Sequence, residues 1–420
     1  MPAMQIEIIT IGDEILSGRT VDTNFTWLAR SLAEVNVQVG WHSAVGDSGD
    51  RIAEALQRAL DRADAVVMTG GLGPTPDDMT RKAVAMVLGR SLRLDEDVLQ
   101  SIRARARQLA RKLPASVESQ ALVPVGAQTW HNRLGTAPGL LLMQGKKPVI
   151  LLPGVPQEME GLAKEYAIPY LGERSGLRVE SFTLRTAGVM ESMLHEKIGA
   201  LPQGWPGATL AYLPSYFGVD LRVTVAGEDR ARVEAVTGKA YDELRARVEP
   251  VVYAEGATAM EQVVGDTVIE LGQRLAIAES CTGGLVAKRI TDAPGSSRYF
   301  ERGFVTYSNA SKVELLGVKP SDLEAHGAVS AVVAQQMARG AAERAGVQAA
   351  LGVTGIAGPD GGSAEKPVGT VFIAVHGGRG TAVRRFHFAG TRQTVRERAA
   401  QTALDLLRRH LKGLPLDVTL

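Results

Sequence analysis

One pattern recurs along this chain and few folds accommodate it: a short, wholly apolar run that stops at a glycine cluster and gives way to an amphipathic segment. Ala65–Thr69 runs into Gly70-Gly71-Leu72-Gly73-Pro74, and Pro148–Leu152 into Pro153-Gly154-Val155-Pro156. Runs with no polar alternation are strands buried on both faces. Between them, Asp22–Val35, Ser48–Arg62 and Asp78–Leu88 carry helical periodicity, with Ile52, Leu56, Ala59 and Leu60 on one face of the second. Strands alternating with such helices predict an α/β fold, with a parallel sheet covered on both faces, over residues 5–170.

The pattern then changes twice. Val179–Thr186 and Val219–Ala226 alternate like half-buried strands, and Met190–Ile198 and Asp229–Val248 read as helices, which predicts a small α+β module. Leu201–Pro214, within this module, is rich in Gly and Pro. From Met260 onward the α/β pattern returns. Met260–Gly272, Cys281–Ile290, Ser330–Ala345 and Arg392–Leu411 read as helices. Leu275–Ala278, Gly303–Ser308 and Ala349–Val353 read as strands, and Val368–His376 with Thr381–Phe388 as a hairpin. The expected domains are 1–172, 173–256 and 257–420, and a length of 420 residues suits two or three cores.

Charge narrows the partners. The 47 Lys and Arg nearly balance 46 Asp and Glu, so no nucleic acid or anionic membrane is expected. No apolar run approaches the ~20 residues of a membrane span. The single cysteine, Cys281, excludes an internal disulfide and a multi-cysteine zinc site. A strand opening at Gln5 is expected to leave no room for a signal peptide, and a reducing cytoplasm fits.

Four carboxyl-terminal segments carry chemistry. Ala278-Glu279-Ser280-Cys281-Thr282-Gly283-Gly284 lies where a strand meets a helix, so a nucleophile there is exposed at the sheet edge, close to free amides of a first helical turn. The bland alternative is an ordinary N-cap with packing glycines. Gly303-Phe304-Val305-Thr306-Tyr307-Ser308-Asn309-Ala310-Ser311-Lys312 supplies a lysine, which serves as the base for a serine if burial lowers its pKa; standing alone, it reads as a surface lysine. Val353-Thr354-Gly355-Ile356-Ala357-Gly358-Pro359-Asp360-Gly361-Gly362 is a glycine-rich loop of the kind that presents amides to anions. Gly390-Thr391-Arg392 opens a helix with an arginine able to fork onto phosphate.

Together these blocks, with HGAVS, EKPVGTV and GTRQTVR, resemble the carboxyl-terminal domain of the CinA family, which also occurs alone as the nicotinamide mononucleotide deamidase PncC. The resemblance spans about 260–412. It implies hydrolysis of the carboxamide of nicotinamide mononucleotide to nicotinate mononucleotide and ammonia, with no cofactor. Chemistry then distributes roles: Ser280 attacks and Lys312 carries the proton. Thr282, Gly283 and Gly284, with Thr354, are expected to hold the oxyanion. Tyr307 is expected to stack on the ring or bond near the amide, Arg392 to clamp phosphate, and Asn309, Gly355 and Gly358 to shape the pocket. Cys281 competes with Ser280 as nucleophile, since a thiolate is intrinsically better.

The amino-terminal segment carries IGDEILSG, DTN, VGD, TGGLGPTPDDMT and LLPGVPQEM, each at a predicted strand end, where open α/β sheets bind ligands. Gly70, Gly71 and Gly73 are expected to cradle phosphates with Asn24 nearby, and Asp13, Glu14, Asp47, Asp77 and Asp78 to hold a divalent cation. The bland alternative for each acid is a cap or surface charge. These blocks resemble the molybdopterin-binding fold of MoeA and MogA, and more closely the amino-terminal domain of CinA. Within CinA proteins this implies metal-dependent cleavage of ADP-ribose to AMP and ribose 5-phosphate; the fold alone equally suits pterin binding. The middle module corresponds to the KH-like linker of CinA. It is expected to lack the Gly-x-x-Gly clamp of RNA-binding KH domains and to be structural. A homodimer is the family expectation. Against a bifunctional enzyme stand two other readings: a pterin-binding protein with a degenerate tail, and a competence accessory protein acting through protein contacts.

Overall fold

A computed structural model describes residues 4–108 and 115–417. The chain falls into two compact units, residues 1–180 with 225–234, and residues 181–224 with 235–420.

The first unit is built on a six-stranded sheet. In spatial order its strands are Gln38–Val45, Gln5–Ile11, Ala65–Thr69, Lys147–Leu152, Gly139–Gln144 and Gln128–Trp130. The first four are parallel to one another; Gly139–Gln144 pairs antiparallel with Lys147–Leu152 on one side and with Gln128–Trp130 on the other. The three central runs are buried because both faces are covered. Ile9, Val66, Met68, Val149 and Leu151 pack under the helices Gly49–Arg62 and Thr80–Val87. Ile6, Ile8, Val67, Ile150 and Leu152 pack under Thr23–Ala33 and Pro156–Leu162. All three strands point their carboxyl ends at one edge, which carries Gly12-Asp13-Glu14, Gly70–Asp78 and Pro153-Gly154.

In the middle segment a four-stranded sheet has the order Ala208–Ser215, Gly218–Gly227, Arg178–Thr186, Val252–Glu255. Ala208–Ser215 lies within the stretch rich in Gly and Pro and is nonetheless a strand. Its alternation, from Ala208 to Tyr212, is half-buried and wins over composition. A Gly-x-x-Gly does occur here, Gly204-Trp205-Pro206-Gly207, contrary to expectation. It makes no clamp in this conformation, because the buried Trp205 turns inward and its Nε1 donates to Glu243 Oε2 at 2.9 Å.

The carboxyl-terminal sheet has the order Phe300–Val305, Leu275–Glu279, Ala349–Gly355, Thr370–Gly377, Gly380–His387. The first three strands are parallel, and the last two close it antiparallel as the expected hairpin. Two sequence expectations shift here. The helix expected over Cys281–Ile290 begins only at Leu285, because Gly283 and Gly284 take φ of +59° and +93° and make residues 281–284 a turn. The strand expected over Gly303–Ser308 covers Phe300–Val305 instead, and Ser308 becomes the N-cap of a helix, Asn309–Leu316.

Candidate functional site

Register brings the carboxyl-terminal site together. Glu279 pairs with Val305 on one side and Val353 on the other. The next residue of each strand therefore comes level: Ser280, Thr306 and Thr354. Cross-strand bonds fix that level, Ser280 N–H to the Val353 carbonyl at 2.9 Å and Thr306 N–H to the Glu279 carbonyl at 2.8 Å. The chain then runs through Tyr307 and Ser308 into the Asn309–Leu316 helix, which points Lys312 back beneath the strand ends.

Lys312 is 1% exposed, and its Nζ lies 3.1 Å from Ser280 Oγ. The same nitrogen donates to the Thr306 carbonyl at 2.7 Å and the Tyr307 carbonyl at 3.3 Å. Burial pushes this amine below its ordinary range, with a weaker opposing effect from Cys281. A neutral amine has two N–H groups and one lone pair. Protonated, Lys312 donates to all three acceptors, Ser280 Oγ included; once neutral, it would keep its two N–H groups on the carbonyls and turn its lone pair to the serine hydroxyl. Ser280 itself is 9% exposed. Serine and lysine thus meet as the sequence suggests, although Lys312 reads there as a surface residue when taken alone.

Cys281 points the other way. It is buried in the apolar cluster with Ile277, Val286 and Val353, and burial pushes its thiol up to about 12. A thiol in that state is neither exposed nor ionised, so geometry favours Ser280.

The expected oxyanion donors need correction. The Gly284 N–H donates to Glu279 Oε2 at 3.0 Å, and the Gly283 N–H to the Ser280 carbonyl at 3.1 Å. The Thr354 hydroxyl donates to the Ala328 carbonyl at 2.8 Å. All three are spent. Of the expected set, Thr282 keeps its side-chain hydroxyl buried and without a partner. Arg392 is also partly committed: Nη1 donates to the Gly358 carbonyl at 2.7 Å and Nη2 to the Tyr307 hydroxyl at 2.9 Å. It ties the glycine loop to Tyr307, which is 62% exposed and open to a ring. Asn309 is exposed two residues on. Gly355 ends its strand. At Gly358, φ is +81° and a Cβ would meet Val368 Cγ1 at 2.5 Å, so packing of the loop on itself requires that glycine.

Three residues here escape sequence reasoning. Glu279, 1% exposed, accepts from the backbone N–H groups of Gly284, Val286 and Ala287 at 2.8–3.1 Å and so closes the turn that carries Ser280. Thr306 supplies the carbonyl nearest Lys312. Arg396 grips the Thr282 carbonyl through Nη2 at 2.7 Å and Nε at 3.2 Å. Only the first had a signal, an acid placed five residues before the amide it caps.

At the amino-terminal edge, the expected groups are present but differently employed. The Gly70 N–H donates to the Leu152 carbonyl, and the Gly73 N–H to the Asp78 side chain at 2.7 Å, so both of these amides of the expected cradle are engaged and Gly71 is the one left to offer its N–H. Gly70 is a glycine for another reason: at φ +110° its Cβ would stand 2.2 Å from the Ile11 carbonyl. Asn24 Nδ2 donates to Thr69 Oγ1 and to the Gly154 carbonyl, and its Oδ1 is buried without a partner. Beneath the loop, buried Arg81 donates to the Leu72 and Gly73 carbonyls, a cation that sequence reasoning missed.

The five acids do not form a cage. Asp78 is tied to the loop, also accepting from the Thr75 N–H and Oγ1. Asp13 and Asp47 face each other through reciprocal bonds from backbone N–H to carboxylate. Burial, followed by the charges of Asp13, Glu14 and Asp78, raises the Asp47 carboxyl; Asp77 is not among them. Among the described residues no three His, Cys, Asp or Glu side chains converge as a metal cage. What remains is the facing pair Asp13 and Asp47, two carboxylates to which a divalent cation would have to add phosphate and water as its other ligands.

Comparison with known proteins agrees with this layout. Residues 7–173 match a "Probable molybdopterin binding domain", 181–254 the "Damage-inducible protein CinA KH domain", and 257–411 the "CinA C-terminal domain". A CinA-like protein of Gemmatimonas aurantiaca is 43% identical over 411 residues, 97% of this chain and 96% of that protein. The chain belongs to the CinA family. A CinA-like protein of Geobacter sulfurreducens is 44% identical over 97% of this chain and 99% of its own length. Two solved structures match a smaller share of the chain. CinA from Thermoplasma acidophilum is 42% identical over 40% of this chain and 98% of that one, with a TM-score of 0.37. The competence damage-inducible protein A of Klebsiella pneumoniae is 35% identical over 37% and 97%, with a TM-score of 0.36. Among the described residues no helix of this CinA-family chain is long and apolar enough to cross a membrane.

Proposed function

We propose that the chain is a bifunctional hydrolase of pyridine-nucleotide recycling. Its carboxyl-terminal site deamidates nicotinamide mononucleotide, and its amino-terminal site hydrolyses ADP-ribose to AMP and ribose 5-phosphate. The observation that carries the reading is the Ser280–Lys312 contact, 3.1 Å inside a nearly water-free setting. Neutral Lys312 takes the Ser280 proton as Oγ bonds to the amide carbon. The cationic pyridinium ring of the substrate withdraws electrons and eases that attack. The C–N bond then breaks, the proton passes to the leaving nitrogen as ammonia departs, and water releases the acid from Ser280. No cofactor enters this sequence.

In the amino-terminal unit, the Asp13–Asp47 pair would hold a divalent cation together with phosphate and water, and the cation would offset phosphate charge and polarise a phosphoryl oxygen. The Gly71 N–H would orient the diphosphate, Asn24 braces the loops behind it through Thr69 and Gly154, and Arg81 supplies positive charge from below. We place the protein in the cytoplasm as a homodimer, with no nucleic-acid partner. Ammonia release from nicotinamide mononucleotide by the full chain tests the main claim. Ser280→Ala and Lys312→Ala are expected to lose ~10³-fold or more in kcat. A parent chain that releases no ammonia refutes the deamidase. Metal-dependent AMP formation from ADP-ribose tests the second activity separately, and its absence would favour pterin binding.

A further inference from the structure

Beside the amino-terminal carboxylates lies a cavity of about 410 Å³ that neither activity uses. One wall is the edge strand Gln38–Val45, through Ser43, Ala44 and Val45. The other is the helix Gly49–Arg62, through Arg51, Glu54, Ala55, Arg58 and Arg62. The short connection through Gly46 makes helix and strand run in opposite senses. Arg51 therefore lies at the carboxyl edge of the sheet, and Arg58 sits two turns further, about 10 Å away. Gly46 closes the inner end, and a Cβ there would stand 2.3 Å from Asp13 Oδ1, so the cavity opens directly beside the Asp13–Asp47 pair.

The wall carries three guanidinium groups and the carboxylate of Glu54; with Arg62 held by Glu7 and Arg58 beside Glu54, the charge left unpaired is that of Arg51. Arg62 is fixed, forked onto Glu7 at 2.8 Å by both nitrogens and stacked 5.2 Å over Trp41. Arg58 has only its exposed neighbour Glu54, a pair worth little in water. Arg51 has no hydrogen-bond or ion-pair partner among the described residues. Guanidinium groups held at such a wall suit the oxygens of a phosphoryl group. A diphosphate held at Asp13 and Asp47 through a cation has no need of them. They would serve a further phosphate lying a few ångströms beyond it.

We propose that this cavity is a subsite for a third phosphate, so that the amino-terminal site prefers an ADP-ribose-type ligand phosphorylated on its adenosine ribose. The inference rests on the ADP-ribose reading. For such a substrate, water oxygen bonds to one phosphorus of the diphosphate, the bridging P–O bond breaks, and the products are the 2′-phosphorylated AMP and ribose 5-phosphate.

The test uses the full chain with 2′-phospho-ADP-ribose and ADP-ribose as probes. Binding is measured by calorimetry with and without magnesium, and hydrolysis by product formation. The parent is expected to bind the 2′-phosphorylated probe at least ~10-fold more tightly than ADP-ribose. The exposed-residue variant Arg51→Ala/Arg58→Ala should erase that preference while leaving ADP-ribose hydrolysis unchanged. Arg51→Lys alone should keep part of it. Equal affinity of the parent for both probes overturns the subsite while leaving the ADP-ribose reading in place. If neither probe binds or is cleaved, the underlying reading fails and the subsite with it. A change in oligomeric state of the double variant without ligand would assign the wall to a protein contact and overturn the proposal.

Discussion

Replacing Glu279 by Gln removes the strut of the nucleophile turn with the smallest change of shape. The carboxylate accepts three backbone N–H groups, two at Oε2 and one at Oε1. A glutamine oxygen can keep the pair from Gly284 and Val286. Its NH₂ then faces the Ala287 N–H, donor against donor. Leaving one buried amide unpaired costs about 1–3 kcal/mol. Turning two charge-assisted bonds into neutral ones costs about 1 kcal/mol each. Relief from burying a charge offsets part of this, which leaves a net loss of about 2–4 kcal/mol. For a unit of this size that is a fall of roughly 5–15 °C in the midpoint of its transition. Because residues 281–284 pass directly from Ser280 into the capped helix, kcat for ammonia release should fall about 10-fold at 25 °C, where the chain is still folded, with KM little changed. Calorimetry of the full chain and a steady-state ammonia assay read both quantities. A midpoint within 1–2 °C of the parent, with kcat retained, would refute the argument that Glu279 holds the turn.

Other consequences follow from the same geometry. Since burial lowers the Lys312 pKa and the neutral amine is the base, kcat should climb as pH rises and level off with a midpoint below the ordinary 10.5; a rate that falls over that range, or a midpoint at 10.5 or above, contradicts the assignment. With the Cys281 thiol pushed up to about 12, only about 10⁻⁴ of it is thiolate at pH 8. Iodoacetamide should leave the native chain unlabelled while labelling it quickly in denaturant. Cys281→Ala should cost about 1 kcal/mol in stability and keep most ammonia release; loss of activity with the fold intact would move the nucleophile to the thiol.

The fold was legible where burial is uniform. Gln5–Ile11 and Ala65–Thr69 have the bounds the sequence predicts, because both faces of a central parallel strand are buried and its ends are set where burial stops. The helix start at Leu285 was not, because two glycines at positive φ interrupt a pattern that otherwise reads as helical. The site was legible in its side chains and illegible in its amides. Ser280 and Lys312 stand out by type, whereas whether Gly70, Gly73, Gly283 and Gly284 offer free N–H groups depends on acceptors such as Leu152 and Asp78, and on Glu279, whose reach is set by tertiary structure. The acids of the amino-terminal edge mislead for the same reason: Asp78 looks like a ligand in sequence and is already serving its own loop.

Ser280, Thr306 and Thr354 stand level only because three parallel strands meet in one register. A slip of one residue in either pairing would swing alternate side chains to the opposite face and part the serine from the groups on the neighbouring strands. The site therefore has no half-built form along its sheet: it exists when the strands close in register and not before. Its activity is in effect a clock for folding, and the return of ammonia release after dilution from denaturant would time the moment at which the central sheet locks.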